Sequence, residues 1–129
     1  MISPTLRKLR YRAGVRAYVE GAPAAFEAAM AGAPEIQRLD RLGERLDVVQ
    51  AFFTRKNQLA RELPRLRDAL TERGTLWICY PKSRALGTDL NRDLIRGVAA
   101  RAGLRTVALV AIDGVWNALR CKRPPSGAR

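Results

Sequence analysis

The run Thr75-Leu76-Trp77-Ile78-Cys79-Tyr80 is apolar at every position after its first. A strand without polar alternation has to be covered on both faces. That requirement constrains the chain more than any other feature. It places this strand at the centre of a parallel sheet with helices above and below. Pro81 stops the strand, and Lys82 and a loop through Gly87 lead to Thr88-Asp89-Leu90-Asn91-Arg92-Asp93 at the start of a helix. In an open α/β sheet, this edge is where ligands bind.

The remaining segments alternate in the same way. Strands are predicted over Val15–Glu20, Glu35–Leu39, Leu46–Phe53, Thr75–Tyr80, Thr106–Ile112 and Val115–Lys122. Ser3-Pro4 caps a short helix to about Arg10, and Pro23 opens a helix that closes at Gly32. Leu59, Leu63, Leu66 and Leu70 line one face of a long helix that begins at Thr54 or Arg55 and ends at Gly74. Pro64 either kinks it or opens a second helix. Leu90, Leu94 and Val98 mark a further helix, capped by Thr88 and closed by Gly103. Asp113-Gly114 between two apolar runs signals a two-residue hairpin.

Strands alternating with helices give a parallel sheet with right-handed crossovers. The expected fold is therefore a three-layer α/β domain with a methyltransferase-like Rossmann sheet. Its strands should lie in the order second, first, third, fourth, sixth, fifth, with the hairpin making the sixth antiparallel. Residues 1–122 form one domain, and 123–129, rich in proline and glycine, read as a disordered tail. Cys79 and Cys121 should lie on neighbouring strands as free thiols.

Composition narrows the function. The 129 residues contain no histidine, which removes the commonest general base and metal ligand and rules out Ser-His and Cys-His nucleophiles. Two distant cysteines give no zinc pattern, so no metal is expected. No apolar run reaches the ~20 residues of a membrane span, and the first residues lack a signal peptide's apolar stretch. The expected location is the cytoplasm. A net charge of +12 favours acidic partners, nucleic acid first. With aromatic residues at only 6%, a stacking platform for single strands is not expected.

Leu46-Asp47-Val48-Val49-Gln50-Ala51-Phe52, followed by a helix into Gly74-Thr75-Leu76-Trp77-Ile78, resembles the middle of S-adenosylmethionine-dependent methyltransferases. More narrowly, Trp77-Ile78-Cys79-Tyr80-Pro81-Lys82, Thr88-Asp89-Leu90-Asn91-Arg92-Asp93 and Val110–Arg120 resemble a bacterial family of unknown function. The likeness runs from about Leu6 to Lys122. Cys79 and Asn117 stand where that family usually has serine, and Gly114-Val115 where it has a polar pair. The resemblance implies a class I methyltransferase-like fold and no particular activity.

The cofactor signature is incomplete. A cofactor-binding first turn needs glycines so that backbone approaches the ligand. Glu20-Gly21-Ala22-Pro23 has one glycine, and Pro23 removes a donor N–H. Asp40 lies 19 residues beyond Gly21, where a ribose-binding acid belongs, and Thr54 follows the third strand. Gly21, Asp40 and Thr54 are the candidate positions for S-adenosylmethionine, but the reading leans to a degenerate domain without a cofactor or catalytic residues. Lys82, Arg84, Thr88, Asp89, Asn91, Arg92, Asp113 and Trp116 are the candidate site, converging on the strand ends to hold a small anionic ligand or a protein partner. Five of them have a structural reading too: Thr88 as helix cap, Asp89 as first-turn acid, Asp113 as turn residue, Trp116 as core, Arg92 paired with Asp89 or Asp113. The competing readings are a nucleic-acid contact through Arg55, Lys56, Arg61, Arg65, Arg67, Arg92, Arg96 and Arg101, and a surviving methyltransferase.

Overall fold

A computed structural model describes residues 1–43 and 45–124. Six strands form one sheet: β1 (Arg16–Glu20), β2 (Gln37–Arg38), β3 (Leu46–Phe52), β4 (Leu70–Pro81), β5 (Arg105–Ala111) and β6 (Trp116–Lys122). Their order is β2-β1-β3-β4-β6-β5, the order expected. The pairings β1–β2, β1–β3 and β3–β4 are parallel, whereas β6 runs antiparallel to both β4 and β5. The helices are α1 (Pro4–Lys8), α2 (Ala24–Ala31), α3 (Lys56–Asp68) and α4 (Arg92–Arg101).

Side-chain alternation along the strands splits the core into two layers. Val49, Ala51, Leu76, Ile78 and Leu119 point to the side covered by Leu59, Leu63 and Leu66 of α3 and Ile95 and Val98 of α4. Val48, Phe52, Trp77, Cys79 and Ala118 point to the other side, under Leu6 of α1 and Phe26 and Met30 of α2. The central strands are thus buried on both faces, as an apolar run requires. Each fully buried leucine of α3 contributes about 1.5–3 kcal/mol through removal from water.

Polar groups inside the second layer are satisfied. Gln50 is wholly buried; its carbonyl accepts from the Tyr11 hydroxyl at 2.9 Å and its amide donates to Cys79 Sγ at 3.0 Å. The Trp77 indole N–H donates to the Leu9 carbonyl at 3.0 Å. These bonds tie the segment after α1 to the central strands. Cys79 and Cys121 are buried free thiols on adjacent strands. Burial raises both, Cys121 to about 12.

Several local expectations are corrected. α3 ends at Asp68, not at Gly74, and passes through Pro64 as one helix. Leu70 pairs with Leu46 and Thr75 with Val48, so β4 bulges over the residues between. Gly74 is needed in that bulge rather than as a helix end: a Cβ there would lie 2.8 Å from the Leu46 carbonyl oxygen. The hairpin spans Ile112 to Val115 rather than two residues, and Gly114 is not left-handed. Instead, Asp113 Oδ1 accepts from the Val115 and Trp116 amides, each at 2.8 Å. Arg123, the first residue of the expected tail, donates to the Leu70 carbonyl at 3.1 Å, and the tail from 125 onward lies outside the described residues.

Candidate functional site

The parallel strands end on one edge of the sheet, and α3 and α4 begin there. Between β4 and α4 runs the loop 82–87, which bends through left-handed backbone at Ser83, Arg84 and Leu86 (φ 49°, 61° and 56°) before Gly87. Non-glycine residues held there cost about 1–2 kcal/mol each. Such strain persists where surrounding structure enforces it, and it clusters at functional sites. Here the enforcing bonds are visible. Thr88 is buried; its hydroxyl donates to the Thr54 carbonyl at 2.6 Å and accepts from the Leu90 amide at 3.0 Å. Asp89 Oδ1 accepts from the Lys56 amide at 2.8 Å and so caps α3 from outside the helix. The Lys82 amide donates to the Val115 carbonyl at 2.7 Å.

The loop and the two helix starts enclose a polar cavity of about 290 Å³, lined by Arg55, Arg84, Gly87, Thr88, Asp89, Leu90 and Asn91. Asn91 caps α4, its Oδ1 accepting from the Leu94 amide at 2.9 Å. Arg55 and Arg84 are exposed, and neither has a salt-bridge partner among the described residues. Two unpaired guanidiniums beside the N-termini of two helices suit an anion. Asp89 is the one negative charge in the lining, and one of its oxygens is engaged by Lys56.

Of the eight residues expected to converge, Arg84, Thr88, Asp89 and Asn91 line this cavity. The other four have different placements. Lys82 is half-buried at the start of the loop, and Arg92 is exposed, 3.8 Å from Asp93 and not paired with Asp89 or Asp113. Asp113 holds the hairpin and borders a separate cleft with Thr5, Ala25, Phe26, Ala29 and Ile112. Trp116 is buried in the core, edge-on to Phe52 at 5.1 Å. Thr88 is not the cap of α4: Asn91 caps α4, and Asp89 caps α3. Arg55 also lines the cavity, although the sequence marks it only as a possible helix start and as part of a basic stripe. Its position directly after a strand-end threonine was the available signal.

The cofactor candidates lie elsewhere on the same edge. Gly21 is left-handed (φ 70°), and a Cβ on it would come 2.9 Å from the Phe52 carbonyl oxygen. A side chain there would meet the neighbouring strand, so the position requires glycine. Pro23 stands at the N-cap of α2 without a side-chain cap bond, and Phe26 of that helix stacks edge-on to Phe52 at 5.2 Å. Asp40 is exposed beyond β2, and the Thr54 carbonyl is taken by Thr88. Glu20 at the end of β1 accepts from Tyr18 and from Arg65 of α3. Gly21, Asp40 and Thr54 thus have these separate placements along the strand ends. Among the described residues, no cluster could hold a metal ion, and no helix is long and apolar enough to cross a membrane.

The basic stripe on α3 and α4 is partly neutralised. Arg65 pairs with Glu20 and Glu62, Arg67 with Asp68, Arg61 approaches Glu62 at 3.8 Å, and Arg92 approaches Asp93.

No protein-family model and no curated protein sequence matches the chain. Solved structures do. A ribosomal protein L11 methylase from Lactobacillus delbrueckii subsp. bulgaricus superposes with a TM-score of 0.57 at 12% identity, over 92% of this chain and 74% of that one. The magnesium protoporphyrin IX methyltransferase of Synechocystis, with bound S-adenosylhomocysteine, gives 0.60 at 12% identity, over 87% and 75%. A TehB-like S-adenosylmethionine-dependent methyltransferase from Corynebacterium glutamicum gives 0.56 at 14% identity, over 92% and 85%. At these identities the likeness is one of fold: a mixed α/β sheet of the methyltransferase, Rossmann-like kind.

Proposed function

We propose that this methyltransferase-like domain is non-catalytic and binds a small anionic ligand, of the phosphate or nucleotide class, in the cavity between the 82–87 loop and the starts of α3 and α4. The observation that carries the reading is the pair of unpartnered guanidiniums, Arg55 and Arg84, in a polar cavity whose strained wall is fixed by Thr88. A surviving methyltransferase is the weaker reading, because the turn after β1 has one glycine and Pro23 removes a donor N–H.

Thermal-shift titrations with pyrophosphate and with ADP test it. Ligand at a hundredfold over Kd stabilises by about 2.7 kcal/mol, which for a domain of this size raises Tm by about 10 °C. Arg55→Ala and Arg84→Ala should each abolish the shift while leaving the unliganded Tm within a degree or two. Absence of a shift with either probe, or an unchanged shift in both variants, would remove the proposal.

A further inference from the structure

The opposite edge of the sheet carries a second concentration of positive charge. Arg105 and Lys122 are direct cross-strand partners on β5 and β6, so their side chains leave the sheet on one face. Arg120, two residues before Lys122, shares that face. Its Nε donates to Thr75 Oγ1 of β4 at 3.3 Å, and Lys122 Nζ donates to the Arg73 carbonyl at 2.7 Å. This is the face covered by α1: Ala118 and Trp77 on it pack against Leu6 and Leu9. Arg10, left-handed at φ 69° just after α1, adds its charge from above.

Arg10, Arg73, Arg105, Arg120 and Lys122 form no salt bridge among the described residues. Their charges act on one another. Burial first, then Arg120, Arg10, Arg105 and Arg73, pull the Lys122 ammonium below its ordinary value. Burial and Arg10 do the same to Arg120. Like charges packed in this way destabilise a free protein and are relieved by a counter-charge. Arg7, Lys8 and Arg12, all exposed, continue the cationic row along the chain around Arg10. A row on an open edge, rather than a closed pocket, matches a run of phosphates better than a single one.

We propose that Arg10, Arg105, Arg120 and Lys122 form a contact site for the phosphate backbone of nucleic acid, on the α1-covered face at the edge of the sheet remote from the Arg84 cavity. The site reads charge and spacing, not base identity, since it presents no exposed aromatic ring and contacts to phosphate carry no sequence information. It is independent of the cavity reading, and either can fail alone.

The experiment is fluorescence anisotropy of a labelled duplex DNA titrated with the protein across a range of salt concentrations. Each phosphate neutralised contributes about −0.9 to the slope of log K against log salt. The double variant Arg105→Gln/Lys122→Gln keeps the Arg120–Thr75 bond and gives up only the exposed bond from Lys122 to the Arg73 carbonyl. It should flatten the slope by about two units, one per removed cation. Arg96→Gln/Arg101→Gln, with the same loss of charge on α4, should leave the slope near the wild-type value. The proposal is overturned if wild type retains no duplex DNA at low salt, if both double variants weaken binding equally, or if only tripolyphosphate binds. Arg84→Ala should bind DNA as wild type does, which separates this site from the cavity.

Discussion

Thr88 holds the strained loop to the end of β3, and Thr88→Val isolates that role. Valine has the shape of threonine without its hydroxyl. The substitution removes the 2.6 Å bond to the Thr54 carbonyl and leaves the Leu90 amide, in a buried residue, without its acceptor. The Thr54 carbonyl keeps a long contact from the Asp89 amide at 3.4 Å, so the main loss lies at Leu90. An orphaned buried donor costs about 1–3 kcal/mol. The expected destabilisation is about 2 kcal/mol, or about 6–10 °C in Tm for a domain of this length. Urea unfolding followed by circular dichroism measures it: the midpoint should fall with the m-value unchanged. Thr88→Ser keeps both hydrogen bonds and gives up one methyl, costing about 0.8 kcal/mol. The order of stability should therefore be wild type, serine, valine. A valine variant as stable as the serine variant would show that the hydroxyl does not secure the loop.

Other perturbations follow from the core and the edge. The raised thiols stabilise the fold fully below the ordinary value of 9.0, and that contribution is lost as pH rises through about 12 for Cys121. Unfolding midpoints should fall above pH 9, and Cys121→Ala should flatten that alkaline decline. Gly74→Ala forces a Cβ to 2.8 Å from the Leu46 carbonyl and 3.1 Å from Thr71 N. It should lower stability by more than about 1 kcal/mol, whereas Gly43→Ala, with open space around it, should not. Calorimetric titration with S-adenosylmethionine should show no binding in the micromolar range; micromolar affinity would mean that a turn with one glycine and a proline can still build the pocket.

The sequence carried the topology because burial on both faces leaves few arrangements. An apolar Thr75–Tyr80 had to be central, and Asp113-Gly114 had to join neighbours, which together set the strand order. Boundaries were less legible. Leu70 continues the spacing of Leu59, Leu63 and Leu66, so helical periodicity extends one turn too far. Its burial is equally met by the bridge to Leu46, and only tertiary pairing decides between them. The capping role of Asp89 was hidden for the same reason. Asp89 serves a helix that starts 33 residues earlier in the chain, and local capping rules see only the helix that follows. Arg55 was visible as a charge but not as a wall of the cavity, because its neighbours Arg84 and Thr88 reach it only across the strand ends.

The two tryptophans, Trp77 and Trp116, both belong to the layer under α1 and α2, while the layer under α3 and α4 contains none. Intrinsic fluorescence is thus a one-sided reporter. It will register detachment of residues 1–12, because the Trp77 indole is bonded to Leu9, and remain blind to loosening around Leu63 or Ile95. Circular dichroism, dominated by α3 and α4, has the opposite bias. Coincident unfolding curves from the two signals would establish that the sheet melts as one cooperative unit. Separated curves would date the departure of each layer from opposite sides of the same six strands.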